Sequence, residues 1–128
     1  MSLNHQKYHD FTTLLEQLRS ELIANQLDTP QLRKYTTSLQ QFFQQQVVPL
    51  AEEVTDSATQ RHVQSYQTEM SKQMRLLEID VMFFQAARQA STMQVRVDAL
   101  LNRLGILIDY CNAIVQPQGD QGKSEDTK

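Results

Sequence analysis

Hydrophobic residues recur along this chain at alternating spacings of three and four, the period of one face of an α-helix, with no strand pattern of period two. Between residues 4 and 25, Tyr8, Phe11, Leu15, Leu18 and Leu22 make one stripe, with Leu14 and Ile23 flanking it. The segment Asn25-Gln26-Leu27-Asp28 ends that helix and Thr29-Pro30 opens the next. Asp or Thr can cap the free amides of a first turn, and Pro in that turn loses no hydrogen bond. The second helix carries Leu32, Tyr35, Leu39, Phe42, Phe43, Val47, Leu50 and Val54 on one side. Pro49 removes one amide and crowds the preceding turn, which predicts a kink near Val47 to Pro49.

The pattern Ser57-x-x-Gln60 fits a capping box, so the second helix is expected to stop near Thr55 to Ser57 and a third to start there. That third helix runs to about Gln89 with Val63, Tyr66, Met70, Met74, Leu77, Val81 and Phe84 as its stripe, and at about 50 Å it is the longest element. Ser91-x-x-Gln94 repeats the capping signature. Met93, Val97, Leu100, Leu104, Leu107, Cys111 and Ile114 then hold the same spacing in a fourth helix, widened by Leu101, Ile108 and Val115. Four amphipathic helices with short connections bury their faces best as an all-α, up-down-up-down four-helix bundle.

The chain of 128 residues has room for one hydrophobic core and not two, which predicts a single domain over residues 1–116. Residues 117–128, PQGDQGKSEDTK, contain no large apolar side chain to offset their ordering entropy and are expected to form a disordered tail. With only 3 Gly and 3 Pro in the chain, turns are few and helices long. A net charge of -3 gives no general attraction to phosphate backbones, which argues against nucleic-acid binding. Apolar runs such as Val81 to Phe84 and Leu104 to Ile108 fall far short of the ~20 residues of a membrane span, so a soluble protein without membrane insertion is expected. The opening MSLNHQKYHD lacks the apolar core of a secretory signal, and the single Cys111 cannot form an internal disulfide; both point to the cytoplasm.

Candidate chemistry is sparse. His5 and His9 share one helix face near Asp10, a spacing that a metal or small-ligand carrier can use, although such pairs commonly face solvent. His62 has no companion within a turn, and the paired Glu-x-x-His of di-iron bundles does not occur, so no metal or cofactor is assigned. Glu78, Asp80, Asp98 and Asp109 lie off the main stripes and are expected to face water or a helix-edge Arg such as Arg75 or Arg103. Cys111 falls on the core stripe and reads as a small buried hydrophobe. No Gly-rich phosphate loop is present, and the expected protein is not an enzyme.

One feature departs from a plain bundle. Leu76, Ile79, Phe83, Ala86 and Ala90 form a second apolar stripe, which at 100° per residue falls roughly opposite Leu77, Val81 and Phe84. Val95, Ala99, Ile106 and Ala113 echo it on the fourth helix. Such a patch marks either a protein interface, with a second copy or another protein, or a helix more buried than the simple bundle allows. Lys72 and Arg75 border it as an electropositive rim, so Leu76, Ile79, Phe83, Lys72 and Arg75 are the candidate partner-binding residues.

The chain resembles the PatD family of cyanobacterial heterocyst-frequency regulators. The resemblance spans residues 1 to about 115 and is carried by YHDFTTLLEQL, by FFQQQVVPLAEEV around Pro49, and by LEIDVMFFQAARQASTMQVRVDALLNRLGIL. It implies a cytoplasmic helical regulator without enzymatic activity, linked to cell division through the tubulin-like GTPase FtsZ, and it supplies no site residues. The competing readings are a self-associating structural or adaptor bundle, as a homo-oligomer or with another protein partner, and a metal or small-ligand carrier built on the His5 and His9 pair.

Overall fold

The apolar stripes close into a ring of antiparallel helices. The computed structural model describes residues 4–24 and 27–115, and among these α1 spans His5–Ile23, α2 Thr29–Phe42, α3 Ser57–Ala86 and α4 Ala90–Val115, with no strand. Helix α1 packs against α2 and α4, and α3 packs against the same two. Neighbours run in opposite senses. Lys7 of α1 reaches Gln46 while Phe11, one turn on, stacks on Phe42. Across the other seam, Arg103 bonds Gln73 and Asp80 while Arg96 lies over Phe83. This is the up-down-up-down bundle that the spacing predicts. The expected tail, residues 117–128, lies outside the described residues.

The core is built from the predicted stripes. Phe11, Leu15, Leu18, Leu32, Phe43, Val63, Met70, Leu77, Leu100 and Leu104 are fully buried. Each large aliphatic or aromatic side chain removed from water contributes about 1.5–3 kcal/mol, and this supplies most of what holds the helices together. Phe11 is the aromatic pivot, parallel to Phe42 at 5.9 Å and tilted against Phe43 at 5.7 Å. Of the predicted core positions, Tyr35, Phe42, Tyr66 and Val97 are partly buried, while Ile23 at the end of α1 and Met93 in the first turn of α4 are exposed.

The start of α2 has a reciprocal capping box. Asp28 accepts from the Gln31 amide at 2.9 Å, and the Gln31 side chain accepts from the Asp28 amide at 3.1 Å. At α3 the cap lies one residue earlier than the Ser57-x-x-Gln60 pattern suggests. Asp56, an ionised and therefore stronger acceptor, takes the Thr59 amide at 2.8 Å and the Thr59 hydroxyl at 2.6 Å. Its pKa is held below the usual carboxylate range by those bonds, first the Thr59 side chain and then its amide. Gln60 is freed to turn back and donate to the carbonyls of Ala51 and Val54.

Two further boundaries differ from expectation. Helix α3 ends at Ala86, short of Gln89, because Ala87 is extended (ψ 136) so that the chain can reverse onto α3. The Ser91-x-x-Gln94 box does not form. Helix α4 already begins at Ala90, the Gln89 carbonyl accepts from the Met93 amide, and Gln94 donates instead to Asp98.

The predicted kink is a longer irregularity than Pro49 alone requires. Helix α2 gives way at Phe42 to a π-helical turn over Phe43–Val47 and then to a 3₁₀ segment over Val48–Glu53. The Val48 amide reaches back five residues to Phe43, and Pro49 follows with no amide to donate. Gln67 of α3, almost fully buried, donates to the Val47 carbonyl at 2.8 Å and to the Tyr8 hydroxyl at 2.7 Å. The irregular turn therefore keeps its buried polar groups satisfied through glutamines supplied by α3.

Candidate functional site

The described residues expose six large hydrophobic side chains, and five of them surround the α3–α4 turn: Ile79, Met82, Phe83, Met93 and Val95. The sixth, Ile23, closes α1 at the same end of the bundle. Single exposed hydrophobes are ordinary, but a cluster confined to one hairpin end is not. Met82, at 63% exposure, is the most open member of the cluster. It escapes the sequence pattern because it falls on neither apolar stripe of α3.

The second stripe is exposed at Ile79, Phe83, Ala86 and Ala90 and leans toward one side at its edge. Leu76 is half-buried, and Phe83, 49% exposed, is covered on one side by the Arg96 guanidinium, 4.6 Å from the ring centre. The reason is local geometry. Leu76 and Phe83 flank Asp80 on the helix surface, and Asp80 is bound by Arg103 of α4, so this edge of α3 leans toward the hairpin seam. Ile79 and Ala86 point further outward, and Ala90, Lys72 and Arg75 are exposed as expected. The α4 echo is likewise mixed: Val95 is exposed, while Ala99, Ile106 and Ala113 are half-buried.

The charges of this region are asymmetric. Of its acids, Asp80 is paired with Arg103 at 2.9 Å, while Glu78 and Asp98 accept only from the neutral amides of Gln40 at 2.8 Å and Gln94 at 3.0 Å and keep their charge. Arg103–Asp80 is the one ion pair among the described residues, so Lys72, Arg75, Arg88 and Arg96 hold no carboxylate there. Of these cations, Arg96 lies over an aromatic ring, that of Phe83, in a cation–π contact that leaves its N–H donors available. Beside the cluster, at the end of the bundle, a cavity of about 250 Å³ opens between Leu22, Leu27, Phe84, Met93 and Val97.

The other candidate chemistry does not converge. His5 and His9 are exposed on α1, and Asp10 accepts from Gln6 at 2.7 Å. Among the described residues, no three His, Cys, Asp or Glu side chains come together. His62 is half-buried, edge-on to Tyr66 at 4.8 Å, and its Nε2 has no hydrogen-bond partner. Cys111 is buried on the core stripe, and burial pushes its thiol up to about 12, so it stays protonated and unreactive at neutral pH. No described helix is long and apolar enough to cross a membrane. Neither family models, nor curated proteins, nor solved structures give a match to the chain.

Proposed function

We propose that this protein is a cytoplasmic, non-enzymatic regulator that acts by binding another protein, and that its target is the division GTPase FtsZ. The observation that carries the binding half is the apolar cluster at the α3–α4 turn, which the bundle leaves uncovered. Ile79, Met82 and Phe83 lie on a rigid helix whose inner face is locked into the core. Binding there needs little ordering of the surface beforehand. FtsZ as the target, and a role in setting how many cells differentiate, come from the resemblance to the PatD family.

The test is sedimentation and light scattering of FtsZ with GTP, with and without this protein and its Phe83→Asp variant. Phe83 is half-exposed, so an aspartate there can be solvated, and circular dichroism checks that the helices remain. A dose-dependent change in polymer that the variant loses is the expected result. Polymer that is unchanged at several-fold excess of the protein refutes FtsZ as the target.

A further inference from the structure

The free cations around the apolar cluster carry information about what it binds. Lys72, Arg75, Arg88 and Arg96 have no carboxylate partner among the described residues, Asp80 is neutralised by Arg103, and Glu78 and Asp98, bonded only to glutamine amides, keep their charge. Four unpaired cations against two unpaired carboxylates leave this region positive, against -3 for the whole chain. An arginine held over an exposed phenylalanine, 4.6 Å from the ring centre, can receive a carboxylate while the ring meets an apolar neighbour.

The backbone limits how a partner can be held. Helices α3 and α4 spend their amides and carbonyls internally, and the described residues offer no sheet edge to which an extended strand could add. What remains is recognition by side chains along two helices. That is the arrangement that accepts the apolar face of another helix.

We infer that the α3–α4 turn region binds an acidic amphipathic helix of a partner protein, with apolar side chains on Ile79, Met82 and Phe83 and carboxylates on Arg75 and Arg96. This rests on the interaction reading above and adds the chemistry of the bound segment. The cavity between Leu22, Phe84 and Met93 lies beside the cluster and has the size to take one apolar side chain of that helix.

The experiment uses the full chain and a labelled model peptide of about 20 residues, five to six helical turns, built from Leu, Glu and Ala with leucines at i, i+3, i+4 and i+7. A second peptide replaces every Glu with Lys. Fluorescence anisotropy is read at about 50 mM and about 300 mM salt, where screening separates charge from apolar contact. The acidic peptide is expected to bind at least about tenfold more tightly than the basic one, and to weaken several-fold at the higher salt. An Arg75→Glu, Arg96→Glu double variant, both changes at sites with solvent access, is expected to invert the preference.

Equal binding of the two peptides, binding of neither, or a preference that survives the double variant overturns the inference. So does a chain that ignores both peptides and binds phosphatidylglycerol vesicles, since the cations would then serve a lipid surface. The same variants in the FtsZ assay separate the two readings. If Phe83→Asp abolishes the polymer effect and the charge variant keeps it, the interaction reading stands and the acidic helix falls. If the peptides discriminate and FtsZ polymer does not respond, the acidic helix stands and FtsZ falls.

Discussion

Replacing Gln67 with leucine tests how the irregular turn before Pro49 is held. The change keeps most of the side-chain volume and removes both donors, leaving the Val47 carbonyl and the Tyr8 hydroxyl without the partner each has at 2.8 and 2.7 Å. A buried polar group stripped of its partner costs about 1–3 kcal/mol, and two such groups about 2–6. The added apolar surface of leucine returns roughly 1 kcal/mol, so a net loss of about 1–5 kcal/mol is expected. Against a typical total of about 5–15 kcal/mol, that is a large share. Urea denaturation followed by circular dichroism reads it as a lower midpoint at unchanged slope. Tyr8→Phe removes one of the two orphaned groups, so the Tyr8→Phe, Gln67→Leu pair should cost less than the sum of the single changes by about 1 kcal/mol. A Gln67→Leu variant within about 0.5 kcal/mol of the parent would refute the reasoning, since it would mean the turn satisfies its carbonyl by another route.

Burial pushes both the Cys111 thiol and the Tyr8 hydroxyl up to about 12, from ordinary values of 9.0 and 10.0. Both groups are neutral, folded or unfolded, below about pH 8, so stability is full there. As pH rises, the unfolded chain ionises first and is favoured, and stability falls from about pH 8 until the folded values are passed, by at most about 4 kcal/mol for Cys111 and about 3 for Tyr8. A melting temperature that stays flat from about pH 8 to about pH 11 contradicts this. Gly105 sits inside α4 with nothing within 4 Å of where a Cβ would lie, so Gly105→Ala should raise stability by about 0.5–1 kcal/mol through backbone entropy alone. Thermal melting checks it, and a destabilised variant would show that α4 needs the glycine for a reason outside the helix itself.

The four stripes and the bundle were legible because a period near 3.6 with wide apolar faces has few other ways to be buried. Leu15, Leu39, Leu77 and Leu104 all fell where the spacing put them. Caps were less legible because neighbouring acceptors compete. Asp56 outcompeted Ser57 by virtue of its charge, and only three-dimensional placement shows Gln60 serving a different segment. Gln67 reads as a surface residue by type, and its burial depends on a carbonyl 20 positions away, at the junction of the π turn and the 3₁₀ segment, which spacing along the chain does not place against it. At the candidate site, Ile79 and Phe83 stood out by periodicity. Met82 did not, and the contact of Arg96 over Phe83 depends on the register between two helices, which one-dimensional spacing does not contain.

The π turn and the 3₁₀ segment together act as a vernier on the helical arm that begins with α2. Buried residues at Leu39, Phe43 and Val47 are four apart, and on an ordinary helix each such step would carry the stripe about 40° around the axis. The widened turn absorbs that drift, and the tighter 3₁₀ turns that follow restore it in the other direction. A single-residue loss among Gln44, Gln45 and Gln46 would let the wide turn relax to α geometry while both flanking apolar faces stay inward. The same loss in the middle of α3 would swing half of a 30-residue helix out of phase. A change of length is therefore expected to be absorbed best at these three polar positions and worst within the helix that carries the exposed cluster.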